Sequence, residues 1–442
     1  MRAGAPLVPV PTRRLAVVAA IAAVLVLLAP VQPGWTILIV ELALLGAAAA
    51  DVILAPAPAR ILVERELPGV LPLDGEGEVA WHARNPTARR LTVWLADELA
   101  PSLRPTSRRA RLRLPPNARV TARAGLHPSR RGRFTPTELV LRVEGPFGLA
   151  ARQRRRRLPG LLRVYPPFKS RQEAELRIDR TRILEVGLRS ARGQGGGTEF
   201  DSLREYGVDD ESRRIDWAAT ARTTKVIVRT YRAERNQTVL VLLDTGRTMA
   251  GQVDDVPRLD HAMDAVMMLT AVATRLGDRA GLVAFDQDVR AIVGPGHARG
   301  QLSRVTEAMY TLEPRLVESD YRRTFAQTLS RFRRRALLVL LTELAEAPVA
   351  ESLLPALPLV AREHLAVVAG IRDPCVDEWA AAVPANAGEA YRKAAAVDAL
   401  DVRRRTVARL RGLGATVVDA PPGRLAPELA DAYLHLKATG RL

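Results

Sequence analysis

The sequence predicts a multidomain chain: a two-helix transmembrane hairpin, a β-sandwich, and a doubly wound α/β domain. Three observations predict it. Two apolar runs, Leu15 to Ala29 and Thr36 to Ala55, lie at the start of the chain, each near the length that spans a bilayer. Short β-rich runs separated by Pro, Gly and Asn-Pro turns follow, as in a sandwich. From Thr238 onward aliphatic strands alternate with helical stretches, the pattern of a parallel sheet with crossover helices.

The anchor occupies residues 1–56. Its first run is short, but tilt or local thinning of the bilayer accommodates it. The connecting segment, Pro30 to Trp35, carries no charge, and Trp35 suits an interfacial position. Arg2, Arg13 and Arg14 precede the first helix, and Arg60 and Arg65 follow the second. The positive-inside rule then places both ends, and the soluble domains, in the cytoplasm. A cleaved signal peptide is the alternative, with Arg13-Arg14 as its basic region. No small-x-small cleavage site follows Ala29, and a second apolar segment comes at once.

Composition excludes several functions. The chain has 442 residues and a formal net charge of +18, which raises nucleic acid or an acidic membrane as partners. The bases are nearly all Arg and Ala is abundant, so a compositional bias explains the charge. No basic run is interleaved with aromatics that stack on bases, and nucleic acid is not an expected partner. The densest patch, Arg152 with Arg154 to Arg157, better suits anionic lipid headgroups. The single cysteine, Cys375, excludes an intramolecular disulfide or a cysteine zinc cluster. The six histidines form no His-x-x-x-His pair, against a zinc hydrolase.

The sandwich is expected over 57–167, with strands at Ile61–Leu67, Gly75–Trp81, Leu91–Leu95 and Leu139–Val143. Two compact segments inside it, Arg130 to Phe134 and Pro146 to Leu149, read as specific turns or as solvated loops. Residues 168–237 form a charged bridge. Its Gly193 to Gly197 run lacks the spacing of a phosphate-binding loop and reads as a flexible linker. Beyond it, Glu199, Phe200, Arg204, Tyr206, Arg214, Asp216, Trp217 and Arg222 crowd acids, arginines and aromatics together. That density fits a docked ion-pair network or an exposed charged helix.

The α/β domain is expected over 238–442, with strands at Thr238–Leu243, Ala280–Phe285, Ala336–Thr342, Leu365–Ile371 and Ala415–Asp419. Asp244 ends the first strand and opens Asp244-Thr-Gly246-Arg-Thr248. A carboxylate there lies at the carboxyl edge of a parallel sheet, where such sheets bind ligands. Carboxylate and hydroxyl on one turn suit a hard cation such as Mg²⁺. They equally suit capping of the next helix, and spacing alone leaves both readings open.

The order of these pieces resembles domain-of-unknown-function family fifty-eight, a bacterial family with a von Willebrand factor A-like carboxyl-terminal part. The residues that carry the resemblance are Gly197, Glu199, Phe200, Leu203 to Tyr206, Arg214 to Trp217 and Ala221-Arg222. The two-helix anchor and the Arg-Arg-Gly and Pro-Phe-Gly-Leu turns add to it. The resemblance implies a metal ion-dependent adhesion site holding Mg²⁺ or Mn²⁺. Its ligands would be Asp244, Gly246 and Thr248, Ser319 or Asp320 from a later loop, and Glu343 after a further strand. Gly246 removes one hydroxyl from the family pattern, and Glu343 replaces an aspartate.

The resemblance further implies recognition rather than turnover, in company with a MoxR-type AAA+ ATPase and a client protein that the sequence does not identify. The expectation is a non-enzymatic adaptor in the bacterial cell membrane. The competing expectation is a metal-free structural scaffold contacting partners through the bridge and the sandwich. No nucleophile–base pair or metal-bound histidine suggests an enzyme.

Overall fold

The computed structural model describes residues 8–28, 33–180, 199–207, 212, 215–223, 225–232, 236–439 and 442. The chain divides into two compact units, Met1–Tyr165 and Pro166–Leu442. It is multidomain, with several sheets and helices in each case built around their own apolar cores.

In the first unit, helices α1 (Arg13–Leu28) and α2 (Pro33–Leu54) carry the two apolar runs. The stretch Gly34–Arg60 is long and apolar enough to cross a membrane, and only a small share of it is buried in the protein. Among the described residues eleven strands accompany the helices: β1 (Val8–Pro11), β2 (Leu62–Glu66), β3 (Val70–Pro72), β4 (Gly77–Arg84), β5 (Leu91–Asp97), β6 (Arg109–Leu114), β7 (Arg119–Leu126), β8 (Gly132–Phe134), β9 (Glu138–Glu144), β10 (Ala150–Arg157) and β11 (Leu162–Tyr165). They form sheets of order β1-β10-β9-β5-β6, β2-β4-β7 and β3-β11-β8.

Alternation along these strands places one face of each sheet inward. Val63, Val79 and Trp81 from one sheet meet Val93, Leu95, Leu139, Leu141 and Val143 from another in a single core. The Trp81 indole reaches a buried carboxylate, donating to Asp97 Oδ2 at 2.6 Å, while Arg65 pairs with Asp97 Oδ1 at 2.5 Å. A buried charge is tolerated because it is paired and hydrogen-bonded.

The second unit begins with a helical stretch over 171–180, preceded by Ser170, whose hydroxyl and N–H both donate to Asp264 Oδ1 at 3.1 Å. The Gly193 to Gly197 run lies outside the described residues. Strands β12 (Glu199–Glu205) and β13 (Ile227–Arg232) pair antiparallel, with the one-turn helix α3 (Trp217–Thr220) between them. From Glu199 onward the described part of the bridge is therefore a strand pair with a one-turn helix rather than one charged helix.

The main sheet contains β14 (Thr238–Asp244), β17 (Arg279–Phe285), β18 (Val289–Gly296), β19 (Leu337–Leu341), β20 (Leu365–Ile371) and β21 (Thr416–Ala420). Before β17 comes a two-residue hairpin, β15 (Gln252–Val253) with β16 (Val256–Pro257). The order is β18-β17-β14-β19-β20-β21. All neighbours run parallel except β18, which pairs antiparallel with β17 at the sheet edge. The sequence reading had no strand there; Pro295 within it is compatible with an edge position, where a missing N–H leaves no ladder gap.

Helices cover both faces. Val239, Val241 and Leu243 pack with α4 (Arg258–Arg275), α5 (Gln301–Met309) and α10 (Leu425–Ala438) on one side. Leu240 and Leu242 pack with α6 (Tyr321–Arg331), α7 (Leu354–Ala361) and the carboxyl-terminal half of α9 (Ala387–Gly412) on the other. Helix α8 (Pro374–Ala381), which the sequence reading lacked, precedes α9. An aliphatic run with no polar break is what a strand buried on both faces requires.

Candidate functional site

The chain runs from β14 outward to β17 and β18, then crosses back to β19 on the other side of β14. This reversal of direction makes the crevice between the carboxyl ends of β14 and β19 the topological switch point, where open α/β sheets take ligands. Asp244 and Thr342 stand there. Asp244 is the last residue of β14, and Thr342 directly follows β19, in register with it through the Leu243–Leu341 pair.

Asp244 is fully buried. Its Oδ1 accepts from Ser319 Oγ at 2.5 Å and from the Gly246 N–H at 2.8 Å. Its Oδ2 accepts from Thr342 Oγ1 at 2.6 Å and from the Tyr321 phenol at 3.0 Å. The Tyr321 and Thr342 hydroxyls also touch each other, at 2.9 Å. Burial raises the Asp244 carboxyl above its usual value, against the opposing pull of hydrogen bonds from Ser319, Thr342, Gly246 and Tyr321. Burial and the nearby Asp244 charge push the Tyr321 phenol well up. The ring of Tyr321 stands edge-on to Phe285, centroids 5.7 Å apart.

The surrounding loop is held by its backbone. Arg315 N–H donates to Thr245 O at 2.8 Å, Arg247 N–H to Val317 O at 2.9 Å, and Asp320 N–H to Asp286 O at 3.0 Å. The Arg290 guanidinium donates to Glu313 O at 2.6 Å and to Thr245 Oγ1 at 3.2 Å. Between these ties Leu316 is 83% exposed.

The proposed ligands are only partly brought together. Asp244, Gly246 and Ser319 meet. Thr248 lies in the short turn Arg247–Ala250 and is not among the groups bonded to Asp244. Asp320 instead caps α6, accepting from the Arg323 N–H at 2.9 Å. Glu343 turns to two guanidiniums: Arg403 at 2.5 Å and Arg258 at 3.2 Å. Arg403 also forks onto Asp419 at 2.8–3.0 Å and donates to Ile371 O at 3.1 Å.

These residues do not fit a resident divalent cation. A carboxylate offers about four lone-pair sites, and four donors meet them at Asp244. A Cβ on Gly246 would overlap the Ser319 hydroxyl, so Ser319 fills the space that a side chain at position 246 would take. The second acid, Glu343, is neutralised by Arg258 and Arg403. Among the described residues no group of three or more His, Cys, Asp or Glu side chains is placed to hold a metal.

Sequence reasoning missed Tyr321, Thr342, Arg258 and Arg403. The available signal was a hydroxyl residue adjacent to each expected acid: Tyr321 after Asp320, and Thr342 before Glu343.

The bridge residues form a separate cluster. Glu199, Phe200 and Arg204 lie on β12, and the Tyr206 N–H donates to Val226 O at 2.8 Å. Asp216 caps α3 through the N–H groups of Ala218 and Ala219 and accepts from Arg229 Nε at 2.8 Å. The Arg229 hydrogen bond, then the Ala219 N–H, holds the Asp216 carboxyl below its usual value. Arg222 Nε closes the helix onto Ala218 O at 3.0 Å. Trp217 is 70% exposed. Arg214 lies outside the described residues.

No curated protein matches the chain. Among solved structures, the CARDB domain of PF1109 from Pyrococcus furiosus is similar at 11% identity, covering 24% of this chain and 94% of that one, with a TM-score of 0.17. A crystal structure of that domain in complex with di-metal ions gives 12%, 24%, 91% and 0.17. An uncharacterized membrane spanning protein from Vibrio fischeri is similar at 17% identity over 46% of this chain and 98% of its own, again with a TM-score of 0.17. Scores at this level carry no inference about the fold. Residues 202–387, from β12 through the Asp244 crevice to the start of α9, match the family described as Protein of unknown function DUF58, and that match supports the DUF58 family for this chain.

Proposed function

We propose that this protein is a membrane-anchored adaptor that recognises another protein without turning it over. Helices α1 and α2 tether it to the bacterial cell membrane, with the soluble domains on the cytoplasmic side. The α/β domain is von Willebrand A-like and presents its carboxyl edge to a partner, in company with a MoxR-type AAA+ ATPase that assembles or activates a client.

One observation carries the reading. The loop from Glu313 to Asp320 is fastened at both ends and in its middle to Asp244, Thr245, Arg247, Asp286 and Arg290, yet it leaves Leu316 exposed at the ligand edge. A loop fixed in advance loses little freedom on binding, and that favours affinity. The donor set around Asp244 supports recognition that needs no ion.

Affinity capture of the full chain from membranes, with a co-expressed ATPase of this class, tests the proposal. Leu316→Asp and Asp244→Ala are expected to reduce capture, and a chelator to leave it unchanged. Capture that ignores both substitutions sinks the proposal; loss on chelation restores the ion to the site. The scaffold reading is favoured by exposed Trp217 on the bridge, and it requires Trp217→Ala, rather than Leu316→Asp, to abolish capture.

A further inference from the structure

The turn from Gly145 to Ala150 is fastened by the roots of both apolar helices. Asp51, in the last part of α2, is fully buried. Its Oδ1 accepts from the Phe147 N–H at 2.8 Å, and its Oδ2 accepts from the N–H groups of Leu149 and Ala150 at 2.7 and 2.8 Å. From the other helix root, the Thr12 hydroxyl donates to Gly148 O at 2.5 Å and to Leu149 O at 3.0 Å. The Thr12 N–H also donates to Leu149 O, at 3.0 Å. Gly148 has φ +70°, and the Arg14 guanidinium lies 2.8 Å from where its Cβ would be. With the backbone so completely used, the side chain of Phe147 is left outside, 60% exposed.

We propose that this turn is a membrane-contact element whose Phe147 ring enters the acyl–headgroup boundary of the bilayer that α2 crosses. The inference rests on the membrane anchoring proposed above. Depth supports it. From Gly34 to Asp51 the helix rises about 26 Å, close to the roughly 30 Å of a hydrocarbon core. Asp51 therefore sits near the plane where hydrocarbon gives way to headgroups, and the turn is tied to it at that level. A carboxylate there is tolerable because backbone donors satisfy it.

The neighbours have the same amphipathic character. Ile53, two residues after Asp51 on α2, is 73% exposed. Arg13 and Arg14 are exposed at the foot of α1, and Arg152 donates to Ala55 O at 3.1 Å. Guanidiniums at this level suit lipid phosphates, while an aromatic ring suits the interface between them. The partner is thus an anionic lipid surface.

Spin labels placed one at a time in a Cys375→Ser background test this in the full chain, reconstituted in vesicles of phosphatidylcholine with phosphatidylglycerol. The three sites are Phe147→Cys, Leu45→Cys within α2, and Ser107→Cys at the opposite end of the β5–β9 sheet, where Ala96 pairs with Arg109 while Val93 pairs with Val143. Collision with oxygen and with a water-soluble nickel complex reports depth. The expected result is nickel access at 147 several-fold below that at 107 and above that at 45. Access at 147 equal to that at 107, with 45 shielded, overturns the inference and leaves the anchoring intact. Access at 45 equal to that at 107 overturns the anchoring, and the inference with it.

Discussion

The Ser319 hydroxyl occupies the space into which a side chain at position 246 would grow, and it donates to the same Asp244 oxygen as the Gly246 N–H. Gly246 and Ser319 are therefore one solution to one volume. Gly246→Ser is expected to overpack the crevice and cost about 1–3 kcal/mol of stability. Adding Ser319→Gly should recover part of that loss by reopening the space. Denaturant unfolding of the single and double variants measures both, and a Gly246→Ser chain as stable as its parent refutes the shared-volume reading.

Asp244 predicts a pH dependence of defined sign. Its carboxyl is raised in the folded chain, burial being the largest cause. The folded state therefore binds the proton more tightly than the unfolded state. The stabilisation this gives is fully present below the unfolded carboxyl value and is lost as pH rises through the folded one. Relative to Asp244→Asn, the parent is expected to lose stability across that window. Urea unfolding at a series of pH values compares the two, and parallel profiles refute the assignment.

The position of the crevice was legible in the sequence because strand burial writes itself as an unbroken aliphatic run, and Asp244 ends such a run. Its occupants were not. Tyr321 and Thr342 lie 77 and 98 residues from Asp244; the β14–β19 pairing brings Thr342 beside it, and the start of α6 brings Tyr321. Glu343 stood at the expected position, a glutamate where an aspartate was expected, but Arg258 from α4 and Arg403 from α9 draw it away. Local pattern does not carry that competition. Asp51 shows the same limit: inside an apolar run it read as helix, whereas its role depends on a turn nearly a hundred residues later.

The donor set at Asp244 makes a prediction about metals. A cation that binds only the folded chain at a hundredfold excess over its Kd stabilises it by about 2.7 kcal/mol. Neither Mg²⁺ nor Mn²⁺ is expected to raise the unfolding midpoint of the α/β domain, and a chelator is not expected to lower it. A saturable, metal-dependent rise that disappears in Asp244→Ala overturns this prediction.

Arg403 is the last point of leverage. It joins α9 to the ends of three strands: to Glu343 after β19, to Ile371 O on β20, and to Asp419 on β21. Burial alone would lower its guanidinium pKa, but the Asp419 hydrogen bonds and the Glu343 and Asp419 charges more than offset this and hold it above its usual value. Removing the guanidinium leaves two carboxylates in a largely buried place. Arg403→Met is therefore expected to cost about 3–5 kcal/mol, the range for breaking a buried pair. Arg403→Lys keeps the charge but loses the planar fork that reaches both acids and the carbonyl, so it should recover only a minor part. Converting Glu343 to Gln in the Arg403→Met background removes one of the stranded charges and should regain stability. Additive losses in that double variant, measured by denaturant unfolding, would mean the two side chains do not act on one another.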